Sequence, residues 1–240
     1  MRLESFRIGE DEAPYMRVMG RPKRRGFYRP SDLLGYEHEP DIPGRTNRYG
    51  MMGRRDRAHP LAKAPGVCRV LLLGDSIAEP WWSADTLEAE LNSGERYRRR
   101  WKSYEVWNGG TGSYLMRAEA WLAARDGGPG STMKETGRRY VREILETGRA
   151  RSLPVVFVVF PYLEPPGRLD ERQRLEYATI TGVLSETGAA WLDLSGLFEG
   201  MRRRGAPLRY KPHDIVHPSA KAHEGISREI GSFLTKARLL

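Results

Sequence analysis

A chain of 240 residues with 39% hydrophobic and 30% charged side chains can form one α/β domain with a substantial core, and its composition excludes a disordered protein. The formal net charge of +9 is carried largely by basic clusters at 21–25, 53–57, 98–100 and 201–204; they are scattered and open no nucleic-acid-binding motif, so they read as solvated surface rather than a DNA or RNA interface. No apolar run approaches the roughly 20 residues of a membrane span, and the first residues carry acid where a secretion signal carries its apolar core. The single cysteine, Cys68, excludes an intramolecular disulfide framework, and a cytoplasmic location is the expectation.

Two textures divide the chain. Residues 1–66 are rich in Pro, Gly, Arg and Tyr, without a sustained helical or alternating period, and read as an irregular N-terminal arm packed on the core. Residues 67–240 alternate strand and helix. VCRVLLLGD (67–75) is a continuous apolar run of the kind buried in a parallel sheet, with Cys68 as a small core residue. SADTLEAELNSG follows as a helix with Leu87 and Leu91 four apart on one face. YEVWN (104–108) is a second strand ending in GGTGS, and LMRAEAWLAARDG a helix closed by GGPGS. TMKETGRRYVREILETGRA is a longer helix whose stripe is Tyr140, Ile144 and Leu145. LPVVFVVFPYLEPP supplies a β-branched strand and a proline-stopped loop. RLEYATITGVLSETG is helical, AAWLDLSG a fourth strand, and the final helix begins near Pro218. Such alternation builds a parallel sheet with helices on both faces.

The chemistry concentrates at two turns. In LLLGDSIAE, Ser76 sits where a buried strand ends and a helix is about to start, a place where unpaired backbone N–H groups suit an oxyanion. Gly74 lets the chain turn without a Cβ clash. A serine hydroxyl needs a base to take its proton, and the base needs a carboxylate to orient it. HDIVHPSAKAH provides both: Asp214 lies three residues before His217, in a loop just ahead of the last helix. His213 and His223 lack a carboxylate at that spacing and read as surface histidines. Asp75 reads as a structural carboxylate, and Asp193, ending a strand, could border the site.

GDSI near one end of an α/β domain and DIVHP near the other resemble the first and last blocks of the SGNH (GDSL-like) hydrolases. That resemblance covers residues 67–240 and implies a flavodoxin-like, three-layer α/β/α sandwich. It implies hydrolysis of ester bonds with Ser76 as nucleophile, His217 as general base and Asp214 as its orienter. It also implies an oxyanion hole formed by the N–H of Ser76 and one after the second strand, at Gly112 or Ser113. The family's third block, Gly-x-Asn-Asp, is missing, and the chain has only three asparagines: Asn47, Asn92 and Asn108. The family's usual third strand is missing with it, which leaves about four parallel strands. Asn108 or Asn47 could substitute as oxyanion donor; loss of one donor typically costs about 10²–10³ in turnover.

The substrate class is a small-molecule or glycan ester, with Trp81, Trp82 and Tyr114 as candidate pocket aromatics. No cofactor is expected, because NGGTGS opens neither a P-loop nor a dinucleotide fingerprint, and no metal, because no ligand-spaced cluster occurs. Two alternatives stand beside the esterase: a catalytically impaired binding protein on the same fold, and an O-acyltransferase acting on glycans.

Overall fold

The computed structural model describes residues 28–31, 35–52, 60–74, 77–78, 80–97, 100–110 and 131–240. Two short strands, β1 (Tyr28–Ser31) and β2 (Gly35–His38), pair antiparallel with Tyr28 opposite His38. The arm therefore contains a hairpin where the sequence suggested only turns; four-residue strands are too short for alternation to register.

The first half of the core is a βαβ unit. Strands β3 (Val67–Leu72) and β4 (Ser103–Asn108) run parallel, in register from Val67 opposite Ser103 to Leu72 opposite Asn108. Helix α1 (Trp81–Ser93) makes the crossover. Its Ala84, Leu87 and Leu91 are buried against Tyr104 and Val106, with Cys68, Val70 and Leu72 packed around them. On the opposite face of the strand pair, the arm contacts Arg69 and Trp107. Arg69 lies 4.3 Å over the Trp107 ring, pairs with Glu105 at 2.7 Å and donates to the Leu61 and Pro60 carbonyls. Tyr49 stacks on Trp107 with ring centroids 5.6 Å apart.

An edge strand exposes backbone groups that invite pairing. Here α1 and the arm occupy them. Asn92 receives the Tyr104 N–H at 3.0 Å and donates to the Tyr104 carbonyl at 2.9 Å. Glu88 accepts from the Val106 N–H at 2.9 Å, and the Met52 N–H donates to the Asn108 carbonyl at 2.9 Å.

The second half contains α2 (Ser131–Ala150), β5 (Val156–Val159), α3 (Glu171–Glu186), β6 (Ala190–Asp193), α4 (Ser195–Arg203) and α5 (Ala220–Lys236). β5 and β6 pair in parallel, Val156 opposite Ala190. Val141 of α2 meets Val159, Val183 and Leu184 in one cluster. The inward stripe of α2 is thus Val141 with Leu145, while Ile144, expected to face inward, is 47% exposed. A capping box at Asp170 and Gln173 starts α3. The helix α4 was not anticipated: it is only nine residues long with two glycines, although Phe198 and Met201 lie on one face and are both buried.

The protein is thus of the α/β class, and the four expected parallel strands occur as two pairs. Among the described residues no strand links β3–β4 to β5–β6. Leu71 and Leu73 are 53% and 68% exposed, so this apolar run is not buried on both sides. Helix α5 joins the halves, because Ile230 packs on both the α1–β4 cluster and the Leu163–Phe198–Ile226 cluster. The helix predicted at 115–127 lies outside the described residues. Among those described, no helix is long and apolar enough to cross a membrane.

Candidate active site

The histidine loop is built by a short antiparallel ladder. Tyr210 N–H donates to the His217 carbonyl and Ser219 N–H to the Leu208 carbonyl, both at 2.9 Å, with Arg209 opposite Pro218 between them. Pro218, which has no N–H, occupies a position in this ladder that requires none. Ser219 then caps α5 by accepting from the Ala222 N–H at 3.0 Å.

Within the loop, Asp214 turns back on its own chain. Oδ1 accepts the backbone N–H of His217 at 2.8 Å and of Val216 at 3.0 Å. Oδ2 lies 2.9 Å from His217 Nδ1. Burial pushes the Asp214 carboxyl up, but the backbone N–H groups of His217 and Val216 and the His217 ring outweigh it, so it sits below its ordinary value. An ionised carboxylate on Nδ1 fixes the tautomer in which Nε2 carries the lone pair.

Three further contacts hold this loop against the segment after β5. The Leu163 N–H donates to the Ile215 carbonyl at 2.8 Å. Arg209 donates to the Pro212 carbonyl at 3.0 Å and the Leu163 carbonyl at 3.2 Å, and pairs with Glu164 at 2.8 Å. Sequence reasoning passed over Arg209, whose Leu163 partner lies 46 residues away.

The described residues on either side of Ser76 are also held closely. The Gly109 N–H donates to the Leu72 carbonyl at 2.9 Å, aligning the ends of β3 and β4. Asn108 is fully buried; its Nδ2 lies 2.8 Å from the Ala78 carbonyl and 3.2 Å from that of Pro80, and its Oδ1 accepts the Gly110 N–H at 2.9 Å. A Cβ on Gly74 would come within 2.8 Å of Ala78 Cβ, so only glycine lets the turn fold back so tightly. Ser76, Asp75, Gly112, Ser113 and Tyr114 lie outside the described residues, as do the side chains of Trp81 and Trp82.

Helix α1 packs on α5. Ser227 Oγ donates to Thr86 Oγ1 at 2.9 Å, and further along, Gly231 of α5 allows Tyr97, just beyond α1, to press on the helix. Contacts that advance together along both helices mean that the helices run the same way. Residues 77, 78 and 80, just before α1, and residues 214–218, just before α5, therefore share one end of the helix pair.

The remaining asparagines hold backbone. Asn47 Oδ1 accepts the Tyr49 and Met51 N–H groups at 2.9 and 3.1 Å, and Asn92 bridges α1 to β4. Asp193, considered a border residue, accepts the Ser195 N–H at 2.8 Å and hydroxyls of Ser195 and Tyr177, which forms an Asx turn leading into α4. His213 is exposed, but His223 is not the surface residue expected: it is 3% exposed, and burial pushes it down to about 4. His38, in the arm, is also buried. Among the described residues no group of three or more His, Cys, Asp or Glu could hold a metal ion.

No protein-family profile matches the chain, and no curated protein matches it in sequence. Solved structures do. A variant of an acetyl-xylooligosaccharide esterase from Geobacillus stearothermophilus superimposes with a TM-score of 0.51 and 15% identity, over 69% of this chain and 93% of that one. A catalytic mutant of an acetylxylan esterase from the same organism gives 0.50 and 14%, over 69% and 93%. The likeness is one of fold.

Proposed function

We propose that the chain is a serine esterase of the SGNH (GDSL-like) type, with Ser76 as nucleophile, His217 as general base and Asp214 as its orienter. The observation that carries this reading is the Asp214–His217 pair, seated by its own backbone at the end of the α1–α5 pair where residues 77, 78 and 80 also lie. Thr86 and Ser227, which touch, are each ten residues beyond the serine and the histidine respectively. The likeness in fold to esterases and the GDSI and DIVHP blocks point the same way.

In the reaction, Ser76 Oγ attacks the ester carbonyl carbon while His217 Nε2 takes the hydroxyl proton. The tetrahedral oxyanion is held by the backbone N–H of Ser76 and of Gly112 or Ser113. Collapse breaks the bond to the alcohol oxygen, which takes the proton from the imidazolium and leaves an acyl-serine. Water, deprotonated by His217, then releases the acid and restores Ser76. Asn108, with its amide on the Ala78 and Pro80 carbonyls, has a positioning role here rather than the oxyanion role expected of it. The reaction needs no cofactor or metal.

One observation favours a weaker enzyme, or a binding protein on the same scaffold. All three asparagines hold backbone, which leaves none evident in the place of the family's third-block donor. The test is hydrolysis of p-nitrophenyl acetate and butyrate by wild type beside Ser76→Ala. Turnover that vanishes in the variant supports the esterase. Equal background rates from two folded proteins overturn it and leave the binding protein.

A further inference from the structure

Tyr210 is 56% exposed. A solitary exposed aromatic is ordinary; the position of this one is not. It stands directly opposite His217 in the ladder, its N–H on the His217 carbonyl and the Arg209–Pro218 bridge next to it. Residues directly opposite in an antiparallel pair project to the same face, with Cβ atoms about 4.5–5.5 Å apart. Arg209 and Pro218 belong to the other face, where Arg209 reaches Leu163 and Glu164. Tyr210 and His217 therefore project from the same face of the ladder, and both side chains reach solvent. Lys211 Nζ lies 5.6 Å from the ring centroid.

We infer that Tyr210 is a specificity-determining residue that stacks on the alcohol half of the ester, selecting alcohols that present a flat ring face, such as a pyranose or an aryl group. The inference rests on the proposed esterase and adds which half of the substrate is read. After taking the serine proton as general base, His217 must hand it as general acid to the departing alcohol oxygen, so the alcohol, not the acyl group, lies against the imidazole and whatever shares its face. A tyrosine ring offers an apolar face with two side-chain torsions to immobilise, a favourable surface for stacking.

The test holds the acyl group constant. Wild type, Tyr210→Ala and Tyr210→Phe are assayed on phenyl acetate, an acetylated methyl pyranoside and ethyl acetate, with Ser76→Ala as blank. Tyr210→Ala is expected to lower kcat/KM on the two ring esters roughly 5–20-fold, mainly through KM, while changing ethyl acetate less than about twofold. Tyr210→Phe, which keeps the ring, restores the preference. Equal losses on all three esters, or no loss on any, overturn the inference and leave the esterase standing. Failure of wild type to exceed the Ser76→Ala blank on every ester overturns both.

Discussion

Replacing Asp214 by Asn isolates the carboxylate's charge from its scaffolding. The Asn carbonyl can still accept the backbone N–H groups of Val216 and His217, now 3.0 and 2.8 Å from Oδ1, so the loop keeps its shape. The amide nitrogen, however, donates toward Nδ1, which moves the ring proton to Nε2 and removes the lone pair that the serine needs. The lost attraction can be estimated. At 2.9 Å, between side chains 39% and 20% exposed, an effective dielectric of about 20–40 gives roughly 3–6 kcal/mol of imidazolium stabilisation. At about 1.36 kcal/mol per decade this is a loss of about 10²–10⁴ in kcat, and the wrong tautomer places the effect near the upper end. Melting temperature should move only a few degrees, whereas Asp214→Ala, which also frees two backbone donors, should cost about 1–3 kcal/mol more in stability. Steady-state kinetics with an ester substrate, beside thermal unfolding, separates the two effects. A folded Asp214→Asn protein within threefold of wild-type kcat would refute the reasoning.

Three other outcomes follow from the packing. Arg209→Ala removes the Glu164 ion pair and two carbonyl bonds that brace the histidine loop, and should lower both the melting temperature and kcat/KM, with Arg209→Lys in between; unchanged kinetics would dissociate the brace from the site. Asn92→Ala strips the partners from the Tyr104 N–H and carbonyl at the outer edge of β4, and urea unfolding should show a loss of about 2–3 kcal/mol. Burial depresses His223 to about 4 from an ordinary 6.5, so its neutral form stabilises the fold fully above about pH 6.5 and that stability is lost as pH falls toward 4. The total is about 3 kcal/mol, and His223→Gln should flatten the pH dependence of urea unfolding over that window.

Legibility of the sequence followed the range of the contacts. Asp214 and His217 could be paired by inspection because a three-residue spacing closes on itself in one turn, as their bonds show. Leu87 and Leu91 were legible for the same local reason, and both are buried. Asn108 was read for its amide alone; its engagement with Ala78 and Pro80, about 30 residues earlier, depends on β3 and β4 ending side by side, which no local pattern announces. Arg209 and Tyr210 carry no local signal; the ladder with 217–219 sets Arg209 against Glu164 and Tyr210 opposite His217. The burial of His223 depends on how α5 packs, and the exposure of Leu71 and Leu73 on β3 lacking a second partner strand among the described residues. Composition carries neither.

The most direct test of the proposed nucleophile is covalent: incubate the purified protein with a fluorophosphonate, measure intact mass and map the labelled peptide. The account predicts one equivalent of adduct on Ser76, formed far more slowly in His217→Ala and absent in Ser76→Ala. A folded wild-type protein that takes no label, or takes it on a residue other than Ser76, contradicts the account.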